Sequence, residues 1–152
     1  MIRVVRLGTA RAPDEGLRIG TVRRPPRGVA RAERGRRDYF DVWLPELAPS
    51  AAAVSWALAE PWTPARWRRY ARRYRREMSE PRARHLIATL AALSHQTNFS
   101  VGCYCADEAR CHRSLLEELL AAAGAALTGA RRELSPRRPR AKGARRAARS
   151  AP

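Results

Sequence analysis

Asn98-Phe99-Ser100-Val101-Gly102-Cys103-Tyr104-Cys105-Ala106-Asp107-Glu108-Ala109-Arg110-Cys111-His112-Arg113-Ser114 joins an alternating segment to a helical one through a cysteine-rich turn. Residues 98–105 alternate and are bounded by polar residues, which predicts a strand ending at the cysteines. Polar residues follow. From around Cys111, Leu115, Leu116, Leu119 and Leu120 then recur at helical spacing as far as Gly124, which predicts a helix.

Upstream, residues 2–7 and 17–23 read as strands separated by a turn at Pro13 and Gly16, and residues 39–44 as a short aromatic strand stopped by Pro45. Three helices come next. Ser50 caps the first, with Val54, Ala57 and Leu58 on one side, and it ends at Glu60 before Pro61. The second begins with Thr63 as cap, Pro64 at the first helical position, and Trp62 and Trp67 at the spacing of a hydrophobic staple. Trp67, Tyr70, Tyr74 and Met78 make its core face, and arginines cover the rest. The third runs from about Pro81 to Ser94 on Leu86, Ile87, Leu90 and Leu93. This order predicts a small three-layer α/β domain, a largely parallel sheet flanked by helices, over residues 1–128.

Residues 129–152 read differently. From residue 131 onward there are nine basic residues and one acid, Glu133, so this stretch carries +8 of the chain's +17. With one leucine, three prolines and no aromatic residue it cannot offset the cost of ordering, and a disordered basic tail is expected. Two readings of it stay open: non-specific attraction to nucleic acid, or a solubilising end in a chain with 30 arginines and one lysine.

No apolar run approaches the length of a bilayer crossing, and the first ten residues lack a signal peptide's apolar block. The expectation is a cytoplasmic protein with no membrane partner. Its three cysteines fall within nine residues, which argues for reduced thiols, a metal site or a reactive thiol rather than a disulfide framework.

The densest chemistry lies in that cluster. A thiol at a helix N-terminus, with His112 and Arg113 adjacent, tends toward thiolate, so Cys111 or Cys105 is the candidate nucleophile or redox cysteine, in an anion-binding turn. Two rivals stand beside it. Cys103, Cys105, Cys111 and His112 offer three sulfurs and an imidazole to zinc or iron, though the spacing is not that of a finger and adjacent residues on a helix project about 100° apart. The plainer rival makes the cysteines small buried apolar groups, with His112 bonded to a carboxylate such as Glu108. No cofactor is favoured.

A second motif, Arg23-Arg24-Pro25-Pro26-Arg27-Gly28, puts three guanidinium groups on a proline-stiffened loop. Such groups grip phosphate or carboxylate in bidentate fashion, or pair with local acids such as Asp38 and Asp41. Because this loop and the cysteine loop both follow predicted strand ends, where open α/β sheets bind ligands, the two are expected to line one crevice.

Taken together, Arg23 through Gly28, Asp41-Val42-Trp43-Leu44-Pro45-Glu46-Leu47-Ala48-Pro49-Ser50, then Trp67, Tyr70, Tyr74 and Glu77-Met78, and finally Gly102-Cys103-Tyr104-Cys105 with Cys111-His112-Arg113-Ser114, resemble the family called domain of unknown function 488, in its YeaO-like branch. The resemblance covers roughly residues 1–124, and Cys-His-Arg is its most specific part. It implies a small α/β domain in a bacterial or archaeal cytosolic protein, with no established reaction. Relatives carry one cysteine and a longer loop before Cys-His-Arg, so Cys103 is an additional thiol here, and Glu108 stands nearest the position of a family acid.

The functional expectation is an anion-pocket protein, with Cys111 or Cys105 as thiolate, His112 as acid/base or orienting group, Glu108 as candidate acid, and Arg113 with Arg23, Arg24 and Arg27 as anion clamps. A nucleotide or nucleic-acid fragment is the expected ligand class. The alternatives are a non-catalytic nucleic-acid-binding module and a metal-binding regulatory protein. Nothing in the sequence sets the oligomeric state.

Overall fold

Apolar residues recur along the strand segments, and the computed structural model, which describes residues 1–128, gathers these segments into one sheet. Its strands are β1 (Ile2–Arg6), β2 (Leu17–Gly20), β3 (Val42–Trp43) and β4 (Phe99–Cys103), in the order β1-β4-β2-β3. Every pairing is parallel. β4 is a central strand, with Val4 and Ile19 both opposite Val101. The helices are α1 (Ala51–Leu58), α2 (Pro64–Met78), α3 (Pro81–Leu93) and α4 (His112–Ala122), so the element order is the expected one. The expected basic tail, residues 129–152, lies outside the described residues.

Side-chain alternation divides the sheet's two faces. Ile2, Val4, Ile19, Phe99 and Val101 share one cluster with Ala53 of α1, Tyr74 of α2, Ile87 of α3 and Leu116 of α4, so all four helices pack on this face. The opposite face is covered by loops rather than helices. There Phe40 lies over Gly20, where a Cβ would come within 2.4 Å of its ring, and Leu7 lies over Gly102. The third layer of this α/β domain is therefore irregular chain from residues 7–16 and 21–41.

That covering explains the shortened third strand. Residues 39–44 have the aromatic content of a strand, but Tyr39 turns to meet Tyr104 edge-on at 5.9 Å and Phe40 caps Gly20, leaving Val42–Trp43 to pair. Other departures are local. Leu58 is 81% exposed, and the buried residue of α1 is Ala53; Leu93 of α3 is exposed as well.

The caps read from the sequence are present. Ser50 Oγ accepts from Ala53 N and Thr63 Oγ1 from Arg66 N, while Trp62 and Trp67 meet edge-on at 5.6 Å. Each such cap is worth about 1 kcal/mol. Ser50 also donates its backbone N–H and its hydroxyl to the Glu77 carboxylate, at 2.9 and 2.6 Å, which fastens the start of α1 to the end of α2. No described helix is long and apolar enough to cross a membrane.

Candidate functional site

The carboxyl ends of β2 and β4 lie side by side because Gly20 pairs with Gly102. Beyond them, Thr21 donates its backbone N–H and its hydroxyl to the Gly102 carbonyl, both at 3.0 Å. The chain after β4 passes through Cys105 and loops back to Cys111, the N-cap of α4, whose sulfur accepts from Arg113 N at 3.5 Å. His112 Nε2 sits 2.7 Å from the Thr21 carbonyl oxygen, so Nε2 carries the proton and donates it. Nδ1 is thereby left as an acceptor, 3.9 Å from the Cys111 sulfur. Burial holds the His112 pKa below its ordinary value, and the ring is neutral at pH 7.

The three thiols are distinct. Cys103 and Cys111 are buried, Cys105 is exposed, and no two are joined by a disulfide. The Cys103 and Cys105 sulfurs are 3.5 Å apart. Cys103 donates to Cys105, which raises its own pKa to about 11; the Cys111 thiol, sharing its one proton with the neighbouring sulfurs and buried, is raised further. Cys105 accepts from its neighbouring thiols and lies near the Arg113 guanidinium, so its pKa falls below a free thiol's despite partial burial. Of the two candidate nucleophiles, Cys105 is the exposed thiol and Cys111 the buried one.

All three cysteines and His112 line a cavity of about 600 Å³. Arg23, Arg24, Arg27 and Arg110 lie on its walls, with Val54, Leu58, Trp62 and Tyr70 as apolar and aromatic surface. The two loops expected to share a crevice do share it. Arg23 is partly committed, donating to the carbonyls of Pro49 and Ala48 at 2.8 Å each, whereas Arg24 and Arg27 are exposed and make no ion pair among the described residues. The acids proposed as their partners are engaged elsewhere: Asp41 and Asp38 with Arg11, and Asp41 also with the Arg18 backbone N–H.

Two expected members of the site fall outside it. Arg113 is 3% exposed and spends its guanidinium on the carbonyl oxygens of Cys103 and Cys105, at 3.4 and 3.0 Å, so it braces the cysteine loop instead of facing the cavity. Glu108 is exposed and lies 3.6 Å from Arg113; the His112 partner is the Thr21 carbonyl, not this carboxylate. In the other direction, the sequence reading missed Thr21, Arg110 and the cavity role of Tyr70. Tyr70 carried a signal, lying one turn beyond Trp67 on α2; Thr21 carried none, because its place depends on strand register.

The cluster also has the donors of a soft-metal site. The ligand atoms of Cys103, Cys111 and His112 all lie within 4.8 Å of one another, so these buried residues could hold a metal ion. The objection that neighbouring residues project apart on a helix does not apply, since Cys111 is the N-cap, with φ −123° and ψ 143°, and its sulfur turns back toward the imidazole. A family model described as the active DUF488-N3 subclade matches residues 2–124. No curated protein and no solved structure matches the chain.

Proposed function

The chain belongs to the DUF488 family, and on that premise we propose that it is a cysteine-dependent enzyme acting on a nucleotide-type anion, with Cys105 as nucleophile. One observation carries the reading: the exposed thiol of the cluster opens into the cavity that also holds Arg24, Arg27 and Arg110. Guanidinium groups supply bidentate contacts to a phosphate, and Trp62, Tyr70 and Val54 supply apolar surface for a base. The volume, about 600 Å³, falls in the range that encloses a small-molecule ligand. Arg113 holds the loop that carries Cys105, and neutral His112 orients Cys111 from behind. The description "active" given to the matched subclade agrees with a reaction at this site. The closing Cys111-His112-Arg113-Ser114 supports placement in the YeaO-like branch, and three free thiols support a reducing, cytoplasmic setting.

The test is the pH profile of alkylation by iodoacetamide, with the modified residue identified by peptide mass. A free thiol of pKa about 8.5 loses on the order of 80-fold in rate between pH 8 and pH 6, as its thiolate titrates away. Cys105 is expected to react first and to slow less than about threefold over that interval, because its folded pKa lies below it. Adenosine monophosphate in the cavity is expected to protect it. Slow labelling of all three cysteines in the native protein, turning fast on unfolding, would sink the reading.

A second reading is favoured by the Cys103, Cys111 and His112 grouping: a metal-binding regulatory protein with zinc, or iron, held by those residues and Cys105. Three thiolates and an imidazole whose second nitrogen is fixed by a carbonyl are a donor set zinc accepts. Elemental analysis of protein purified anaerobically without chelator separates the two. Our first reading expects well under one equivalent; one tightly bound equivalent, lost in Cys103→Ser along with a drop in Tm, would put the second in its place.

A further inference from the structure

α2 presents Arg69, Arg72, Arg73 and Arg76 at positions i, i+3, i+4 and i+7, which is one stripe along the helix. Like charges at these spacings repel one another. Among the described residues Arg73 pairs with Glu77, but Arg69, Arg72 and Arg76 have no acidic partner and are exposed. The stripe and Trp56 line a depression on the surface, and Tyr70 lines both that depression and the thiol cavity. Arg72 also lines a further depression, with Arg68 and Arg75, on the α4 side. Positive side chains thus continue outward from the cavity along α2.

We infer that the unit bound in the thiol cavity is one nucleotide of a single-stranded polynucleotide, whose adjoining phosphates lie along Arg69, Arg72 and Arg76. The inference rests on the nucleotide reading of the cavity and deepens it. From residue 69 to 76 the helix rises roughly 10 Å at 1.5 Å per residue, long enough to meet more than one phosphate of an extended strand. A cavity of about 600 Å³ admits a nucleotide but not its base-paired partner, so a nucleotide belonging to a strand must enter unpaired. Trp62, half-buried on the wall with Tyr70 edge-on behind it at 5.4 Å, offers aromatic surface to that base, as single-strand binders do without regard to sequence.

The experiment measures protection of Cys105 from iodoacetamide in the full chain by adenosine monophosphate, by a single-stranded DNA 12-mer, by the same 12-mer as duplex and by phosphatidylserine vesicles. The single strand is expected to protect at a concentration at least about tenfold below the mononucleotide. In the triple variant Arg69→Gln, Arg72→Gln, Arg76→Gln that advantage should disappear while mononucleotide protection stays. The slope of log affinity against log salt for the single strand should fall by about 2, since each lost phosphate contact removes roughly 0.7. A 12-mer no better than the mononucleotide, an unchanged triple variant, or equal protection by duplex or vesicles would overturn the inference and leave the cavity reading standing. Protection by none of the four overturns both. A melting curve shows whether the triple variant is folded, and Arg72→Gln alone, expected to lower the slope by about 0.7, serves if it is not.

Discussion

Glu15→Ala is expected to destabilise the domain by about 3–5 kcal/mol, read from urea or thermal unfolding, because it strands a buried guanidinium. Arg18 is 0% and Glu15 2% exposed. Arg18 Nε and Nη2 donate to the two oxygens of Glu15 at 2.5 and 2.8 Å, and its Nη1 to the carbonyls of Thr9 and Asp38. The carboxylate also accepts from Ser100 Oγ at 2.7 Å and from Ala12 N at 3.1 Å. With every partner placed, the pair is tolerable; with one removed, a charge remains in a dry layer. The double variant Glu15→Ala, Arg18→Met should therefore recover part of the loss, and a single variant within 1 kcal/mol of the parent would contradict this account.

The same carboxylate sets an acid limit. Burial pushes the Glu15 pKa up, but the bonds from Arg18, then Ser100 and Ala12, outweigh it and bring the value from 4.5 down to about 2. Its folded pKa lies below the unfolded one. The stabilisation, about 3 kcal/mol from a shift of this size, is complete above pH 4.5 and drains away as pH falls toward 2. Glu15→Ala should flatten that limb of the stability profile.

Gly102→Val is expected to prevent folding, and Gly102→Ala to cost about 1–3 kcal/mol, in the range of core overpacking. Gly102 lies in β4 between Val5 and Gly20, and a Cβ there would stand 2.7 Å from Leu7 Cδ2 and 2.8 Å from the Val5 carbonyl oxygen. The leucine can swing away. The oxygen belongs to the strand ladder and cannot, so the larger side chain must open the sheet beside the site. Circular dichroism and a melting curve on both variants check the pair, and a Val variant that folds normally would show that the loop over this face yields.

Element order was readable because caps, prolines and helical periodicity act over a few residues: Thr63 and Pro64 start α2 where their chemistry requires. The cysteine cluster was readable for the same reason, being nearly contiguous. Arg18 was not. A charged residue on a strand reads as solvent-facing, and only the β2–β4 register, which brings Ser100 beside Arg18, shows that it is the centre of a buried network. Arg113 misled in the opposite sense, since adjacency to Cys111 and His112 suggested a ligand contact, while the first turn of α4 points its guanidinium at backbone carbonyls. Local chemistry was legible, and side-chain direction across the sheet was not.

The strand order has a consequence for how the chain reaches its fold. β1 and β2 make no pairing with each other; both wait for β4, which is the last strand in sequence and lies 97 residues beyond its β1 partners, as the Arg3–Ser100 and Val4–Val101 pairs show. Before residue 99 emerges from a ribosome, the only sheet contact available is the two-residue pairing of β2 with β3. Helices α1 to α3 are complete by then, with their apolar sides turned toward a surface that does not yet exist. Closure over such sequence separations is slow compared with helix formation, so the nascent chain passes through a helical stage with exposed core residues, and assembly of the sheet and of the thiol cavity occurs together at the end.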